Sequence, residues 1–221
     1  MKARAFRIAV LVALVAFCAG VVGAQDHVYV IDAGQFVRIG HNSEGYVVLG
    51  YETANYSVKN KWMLLEVAMT TVNKHDATIT RGDIAIKTPD GKIIPMATQE
   101  AFSKGFEDLR PMDARANVQH QSLNYLPREA NQACRIGFFA STSQGPARSL
   151  AYDQFSLSPR NACVGRLYFQ IPDGIQYGEY ALFVKFPSEV EIPFTIMTKE
   201  QAKEWEKKWK EERKEAKEQK K

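Results

Sequence analysis

The side chains of this chain that could do acid–base or metal chemistry are few and scattered. A zinc site normally includes at least one pair of closely spaced ligands. The four histidines lie in turns and loops without such a pair: His27, His41, His75 and His120. The sequence also contains no Gly-x-Ser-x-Gly elbow, no His-Glu-x-x-His and no phosphate-binding glycine loop. We therefore predict surface histidines, no metal site, no cofactor and no enzymatic activity.

One segment offers an alternative to that prediction. Residues 98–131 are polar and aperiodic, and they include His120, an imidazole suited to act as a general base. A hydrolase or metal-dependent enzyme would need Asp113 and Arg115 to converge on His120. The simpler interpretation is that the acids of this segment are solvated loop charges, because the Asp/Asn spacing of a calcium loop is missing.

The tripeptide Arg81-Gly82-Asp83 matches the sequence that integrins recognise. The same three residues suit a turn that leads into an apolar strand, because glycine tolerates unusual backbone angles. We expect a turn with no role in integrin binding.

The amino-terminal segment has the three parts of a secretory signal peptide. It has a basic start, an apolar run over residues 8–22 and a small-residue end at Val22-Gly23-Ala24. We predict that residues 1–24 direct export to the periplasm or the medium. An uncleaved membrane anchor is the alternative, because the run is about as long as the shortest bilayer span. Lipidation at Cys18 is disfavoured, because the bulky Phe17 precedes it.

The net charge of +4 comes from the two ends of the chain. The predicted leader carries three positive charges, and the tail from Lys199 onwards has a net charge of +3, which leaves the body at −2. A slightly acidic body has no electrostatic footprint for nucleic acid.

Beyond the leader the chain has two cysteines, Cys134 and Cys163. In an oxidising compartment two cysteines most simply form one disulfide, and we predict that pairing. Two free buried thiols are the alternative.

The body, residues 25–197, has the pattern of β-structure. Short runs rich in Val, Ile, Tyr and Phe alternate with Gly, Pro, Asn and Asp. Residues 61–72 are apolar on both faces at their start, which predicts a central strand covered on each side. Pro89-Asp90-Gly91 predicts a hairpin, and period-two alternation over residues 167–196 predicts three further strands. Seven to nine short strands indicate a mainly β fold, an antiparallel sandwich.

Two segments depart from this pattern. Residues 98–131 form an insertion with short helices predicted at 98–104 and near 112–123. Residues 198–221 form a charged helix that begins at a Thr198–Gln201 capping box. Its large apolar side chains are Trp205 and Trp209, and we expect them to dock its first half while its second half extends into solvent.

The chain resembles small immunoglobulin-like domains of exported bacterial proteins, a family of unknown function. Residues 163–197 resemble the closing strands of such domains, through Leu167-Tyr168-Phe169-Gln170-Ile171-Pro172 and Tyr180-Ala181-Leu182. Residues 61–73 resemble their long strand and residues 88–92 their Asp-Gly hairpin. The resemblance covers about half of the chain after the leader and implies an architecture and a compartment, with no assigned reaction.

We expect a non-catalytic binding or accessory module of the cell envelope, with a protein partner and no nucleic acid. The insertion and the tail depart from the resemblance. The expected contact surfaces are residues 106–126 of the insertion and the indoles of Trp205 and Trp209 in the tail. Membrane association would involve only an uncleaved leader or the tail helix. A pilus-type chaperone or subunit that works by strand addition is a further option, and it requires an exposed sheet edge.

Overall fold

A computed structural model describes residues 27–118, 123–139 and 151–218. The predicted leader, the loop at residues 141–148 and His120 lie outside the described residues. In the described part, twelve strands and four helices follow one another, with a 3-10 turn at Arg81–Asp83. The strands are β1 (Tyr29–Gly34), β2 (Val37–His41), β3 (Gly45–Gly50), β4 (Trp62–Thr71), β5 (Ala77–Thr80), β6 (Ile84–Lys87), β7 (Ile93–Pro95), β8 (Gln132–Ile136), β9 (Gln154–Leu157), β10 (Asn161–Gln170), β11 (Gly178–Lys185) and β12 (Glu189–Ile196). The helices are α1 (Glu52–Asn55), α2 (Gln99–Lys104), α3 (Phe106–Val118) and α4 (Lys199–Glu218).

Ten of these strands form the two sheets of a β-sandwich. The large sheet has the order β1-β2-β3-β4-β10-β8, and the small sheet has the order β12-β11-β6-β7. Strands β5 and β9 form a separate two-stranded ribbon. The mainly β, largely antiparallel fold that the alternating pattern predicts is thus confirmed. One pair departs from it, because β8 runs parallel to β10.

The two sheets pack face to face around the main core. The inner face of the large sheet meets β12 and the turn before it, where Gly40 faces Ile192 and Gly45 faces Phe186. A Cβ at either glycine would overlap with the facing side chain. The glycines therefore set how closely the two sheets approach one another.

We expect Gly40→Ala to lower the free energy of unfolding by about 1–3 kcal/mol, because the added methyl group overpacks a closely fitted core. Gly82→Ala is the matched control, since the nearest atom to a Cβ there is Thr80 Oγ1 at 3.8 Å. Urea denaturation of both variants measures the difference. Equal midpoints for the two variants would contradict the close sheet contact.

The central strand and the Asp-Gly hairpin form as predicted. All ten residues of β4 are buried, with β3 on one side and β10 on the other. The hairpin joins β6 to β7, and Gly91 in its turn has φ of 82°. Glycine adopts this left-handed conformation without the strain that a side chain would add.

The prediction of seven to nine strands was too low. The alternating pattern missed β2, where Arg38 and Gly40 occupy the inward positions that apolar residues usually fill. It also missed β5, whose four residues include two threonines and one buried apolar side chain, Ile79.

Candidate functional site

The insertion folds as two helices over the outer face of the large sheet. Thr98 begins α2 by accepting a hydrogen bond from the amide of Ala101 at 3.1 Å. The second helix, α3, begins at Phe106 and includes Pro111, whereas the sequence predicted a short helix near residues 112–123. A proline inside a helix costs about 3 kcal/mol. Burial of the apolar α3 side chains that face the sheet, Leu109, Met112 and Ala116, offsets this cost.

Asp113 is the one buried acid of α3, and it binds two side chains of β10. Its Oδ1 accepts hydrogen bonds from Arg166 Nη1 and from the Tyr168 hydroxyl, both at 2.6 Å. Burial, and then the charge of Asp113, raise the pKa of Tyr168 well above its usual value. Tyr168 therefore stays a neutral donor near neutral pH, and the prediction that Asp113 is a solvated loop charge was wrong.

Further contacts complete this polar cluster beneath α3. Arg166 Nη2 donates to Asn117 Oδ1 at 2.9 Å and lies 3.6 Å from Glu66 Oε1 on β4. The rings of Phe102 and Phe139 pack against the ring of Tyr168 at 5.0 and 4.9 Å. The cluster thus fastens α3 to the centre of the large sheet, and its polar side chains bind one another.

The structure separates two of the three residues that the enzymatic alternative needed. Asp113 is buried against β10, whereas Arg115 is exposed and lies two residues, or about 200°, further round α3. His120 lies outside the described residues. The other acids of α3, Glu107 and Asp108, are exposed, as the sequence predicted. Within residues 27–118, 123–139 and 151–218, no group of three or more His, Cys, Asp and Glu side chains is placed to hold a metal ion.

Arg81-Gly82-Asp83 forms the predicted turn. Asp83 Oδ2 accepts from the amide of Thr80 at 2.8 Å and caps the turn. Arg81 donates to the carbonyls of Ala97 and Phe138 at 2.7 and 2.5 Å. Since the Arg81 side chain is only 14% exposed, it ties two loops together and is not presented to a receptor.

The two cysteines form the predicted disulfide. Cys134 on β8 and Cys163 on β10 are direct neighbours in the parallel pair, with Cα atoms 4.3 Å apart. Cys163 is fully buried and Cys134 partly buried. The bond therefore links the edge strand β8 to the strand that carries Arg166 and Tyr168.

The tail helix α4 begins at the predicted capping box. Thr198 Oγ1 accepts from the Gln201 amide at 3.3 Å, and Gln201 Oε1 accepts from the Thr198 amide at 2.9 Å. Glu206 and Lys210, one helical turn apart, form an ion pair at 2.5 Å. Lys208 pairs in the same way with Glu212 at 3.8 Å.

The first turns of α4 contact the sandwich, and its two indoles stack on each other. Gln35, in the β1–β2 turn, donates to the carbonyl of Ala202 at 2.6 Å. Ala202 and Trp205 pack against the main core. The ring of Trp209 stacks on Trp205, with 5.2 Å between centroids and 20° between planes. Both indoles remain partly exposed, so that they present an apolar surface near the end of the sandwich.

The part of the sandwich that the structure describes also has concave surfaces, among them the following two. One, of about 460 Å³, lies beside the start of α4, and its walls include Tyr56, Tyr177 and Lys203. The other, of about 510 Å³, lies between two Pro-Asp-Gly turns. Here Lys92 Nζ contacts Asp90 at 2.8 Å and Asp173 at 2.9 Å. Lys92 thus bridges the two carboxylates, and the three side chains together keep a net charge of −1.

Comparisons with known proteins give this chain no relative. No protein-family model, curated protein or solved structure matches it. Among the described helices, none is both long and apolar enough to cross a membrane.

Proposed function

We propose that this chain is a non-catalytic, extracytoplasmic binding or accessory module of the cell envelope, and that it contacts a protein partner through Trp205 and Trp209. The leader pattern at residues 1–24 supports export. The disulfide supports it further, because such bonds persist mainly in oxidising compartments.

The observation that carries the proposal is the stacked, partly exposed indole pair on α4. Trp205 rests on the core and holds Trp209 in a fixed stack beside it. Tryptophan side chains dominate the energetics of protein interfaces, because they bury a large apolar area and lose little conformational freedom. A pre-ordered pair is well suited to anchor a partner.

The rest of α4 supports the same role. The helix has 20 residues and is therefore about 30 Å long. Its second half is charged with both signs, which gives a partner polar contacts around the apolar anchor. Such a polar rim around an apolar centre is the usual anatomy of a protein interface.

Affinity capture from envelope extracts tests the proposal. We expect Trp209→Ala to lower recovery of a specific protein at least tenfold relative to the unmodified chain. Lys207→Ala is the matched control, since residue 207 is exposed and lies about 160° round the helix from residue 209. Recovery that is the same for both variants would contradict a role of the indole pair.

A further inference from the structure

The edge strand β1 differs from the other edges of the two sandwich sheets. An open edge presents unpaired N–H and C=O groups, and proteins usually protect it with charges, prolines or shortness. The edge β12 carries exposed Glu189, Glu191 and Pro193. The edge β7 is three residues long and ends in Pro95, and β8 carries an exposed Arg135.

The first half of β1, residues 29–31, has neither a charge nor a proline and is apolar on both faces. Tyr29, Val30 and Ile31 are 55%, 41% and 48% exposed. Ile31 lies beside Ile39 on the outer face, and Val30 lies beside Gly40 on the inner face. The small sheet meets the large sheet mainly where β12 lies over β2 and β3, and among the described residues the side chains at the start of β1 remain exposed.

An aromatic row on the outer face ends at this same edge. Tyr46, His41 and Tyr29 are direct neighbours on β3, β2 and β1. Their rings stack with centroid distances of 5.4 and 5.3 Å. The row fixes the side chain of Tyr29 at the open edge, where a strand added to β1 would meet it.

We propose that β1 pairs antiparallel with β1 of a second copy of this chain, which would join two large sheets into one continuous sheet. A two-fold axis beside Val30 places Val30 opposite Val30 of the second copy. The same register places Tyr29 opposite Ile31 of the second copy, an aromatic–β-branched pair that stabilises antiparallel strands.

Charge and shape favour a second copy as the occupant. The only acidic or basic side chain of β1, Asp32, already pairs with Arg38 of its own chain at 2.8 Å. In the proposed register Asp32 faces Val28 of the second copy, so that no like charges lie opposite one another. The apolar side chains of the two β1 strands then lie side by side across the joined edge. Because β1 is only six residues long, we expect a weak dimer with a dissociation constant on the order of micromolar.

Sedimentation velocity over about 1–500 μM tests this proposal. The sample is the exported protein as purified from cells, with or without its leader as the cell leaves it. We expect concentration-dependent dimers, and Val30→Lys should weaken dimerisation at least tenfold because it places two ammonium groups opposite each other. Ile93→Lys is the matched control, since Ile93 is an exposed apolar residue on the edge β7. It should change dimerisation less than twofold.

Cysteine cross-linking tests the register independently of any loss of stability. Opposite residues of an antiparallel pair have Cα atoms about 4.5–5.5 Å apart, within the range that a disulfide spans. Val30→Cys should therefore cross-link two chains on mild oxidation, whereas Ile93→Cys should not. A wild-type protein that stays monomeric over the whole concentration range would overturn the proposal. So would a monomer whose β1 edge binds an unrelated extended peptide instead of a second copy. Dimers unaffected by Val30→Lys, or equal cross-linking of the two cysteine variants, would also overturn it.

Discussion

Asp113→Ala should lower the free energy of unfolding by about 2–4 kcal/mol. The substitution leaves the largely buried Arg166 guanidinium and the Tyr168 hydroxyl without the carboxylate that both now contact at 2.6 Å. Removing one partner of a buried ion pair destabilises a protein by about 3–5 kcal/mol. The lower range reflects the partial exposure of Arg166, whose side chain is 23% exposed. Urea denaturation measures the change.

Asp108→Ala is the control for that experiment, because Asp108 is an exposed acid on the same helix. It should change the free energy of unfolding by less than about 0.5 kcal/mol. A similar small effect of Asp113→Ala would show that the cluster beneath α3 contributes little to the fold, and would leave that acid available for another role.

Loss of the disulfide should have an effect of similar size. Cys134 and Cys163 are separated by 29 residues, and closing a loop of that length stabilises a fold by about 3–4 kcal/mol in the chain-entropy model. We expect the double variant Cys134→Ser, Cys163→Ala to lose about this amount in urea denaturation. The bond also holds β8 on the large sheet, so that hydrogen exchange of the β8 amides should accelerate.

Reduction supplies the control for the disulfide prediction. Dithiothreitol should lower the denaturation midpoint of the unmodified protein towards that of the double variant, and should not affect the double variant itself. An unmodified protein that is indifferent to the reductant, although its thiols are shown to be free, would contradict the expected contribution.

The strands that sequence could predict are those whose side chains alternate regularly. In β10, β11 and β12 apolar residues occupy every second position, and β4 is apolar on both faces. These patterns follow directly from burial. The strand β2 was not predicted because its inward residues, Arg38 and Gly40, are not apolar. Arg38 pairs with Asp32, and Gly40 packs against Ile192. The contact of Gly40 with Ile192 joins positions far apart in the chain and leaves no local signal.

The cluster beneath α3 was hidden for the same reason. Asp113 lies 53 residues from Arg166 and 55 from Tyr168, and Pro111 obscured the helix that brings them together. The reason for the cluster becomes clear once the structure places Arg166 and Tyr168 beside β4, a strand that is buried on both faces. A cation on a covered face needs an acidic partner. The acidic residues of the insertion, which had no predicted role in the sandwich, were the candidates.

The indole pair was easier to find from the sequence. Trp205 and Trp209 are one helical turn apart in a segment otherwise made of charged, small and amide residues, so that they had to share a face. Their stacking and the contact of Trp205 with the core follow from that spacing. The identity of the proposed partner is not encoded in any local sequence pattern.

Photo-cross-linking in intact cells tests the proposed binding role of α4 most directly. A benzophenone side chain placed at position 209 should give a discrete adduct with one envelope protein on irradiation. The same probe at position 207, on the opposite face of α4, should give little or none. Adducts that are equally weak and diffuse at both positions would contradict the account.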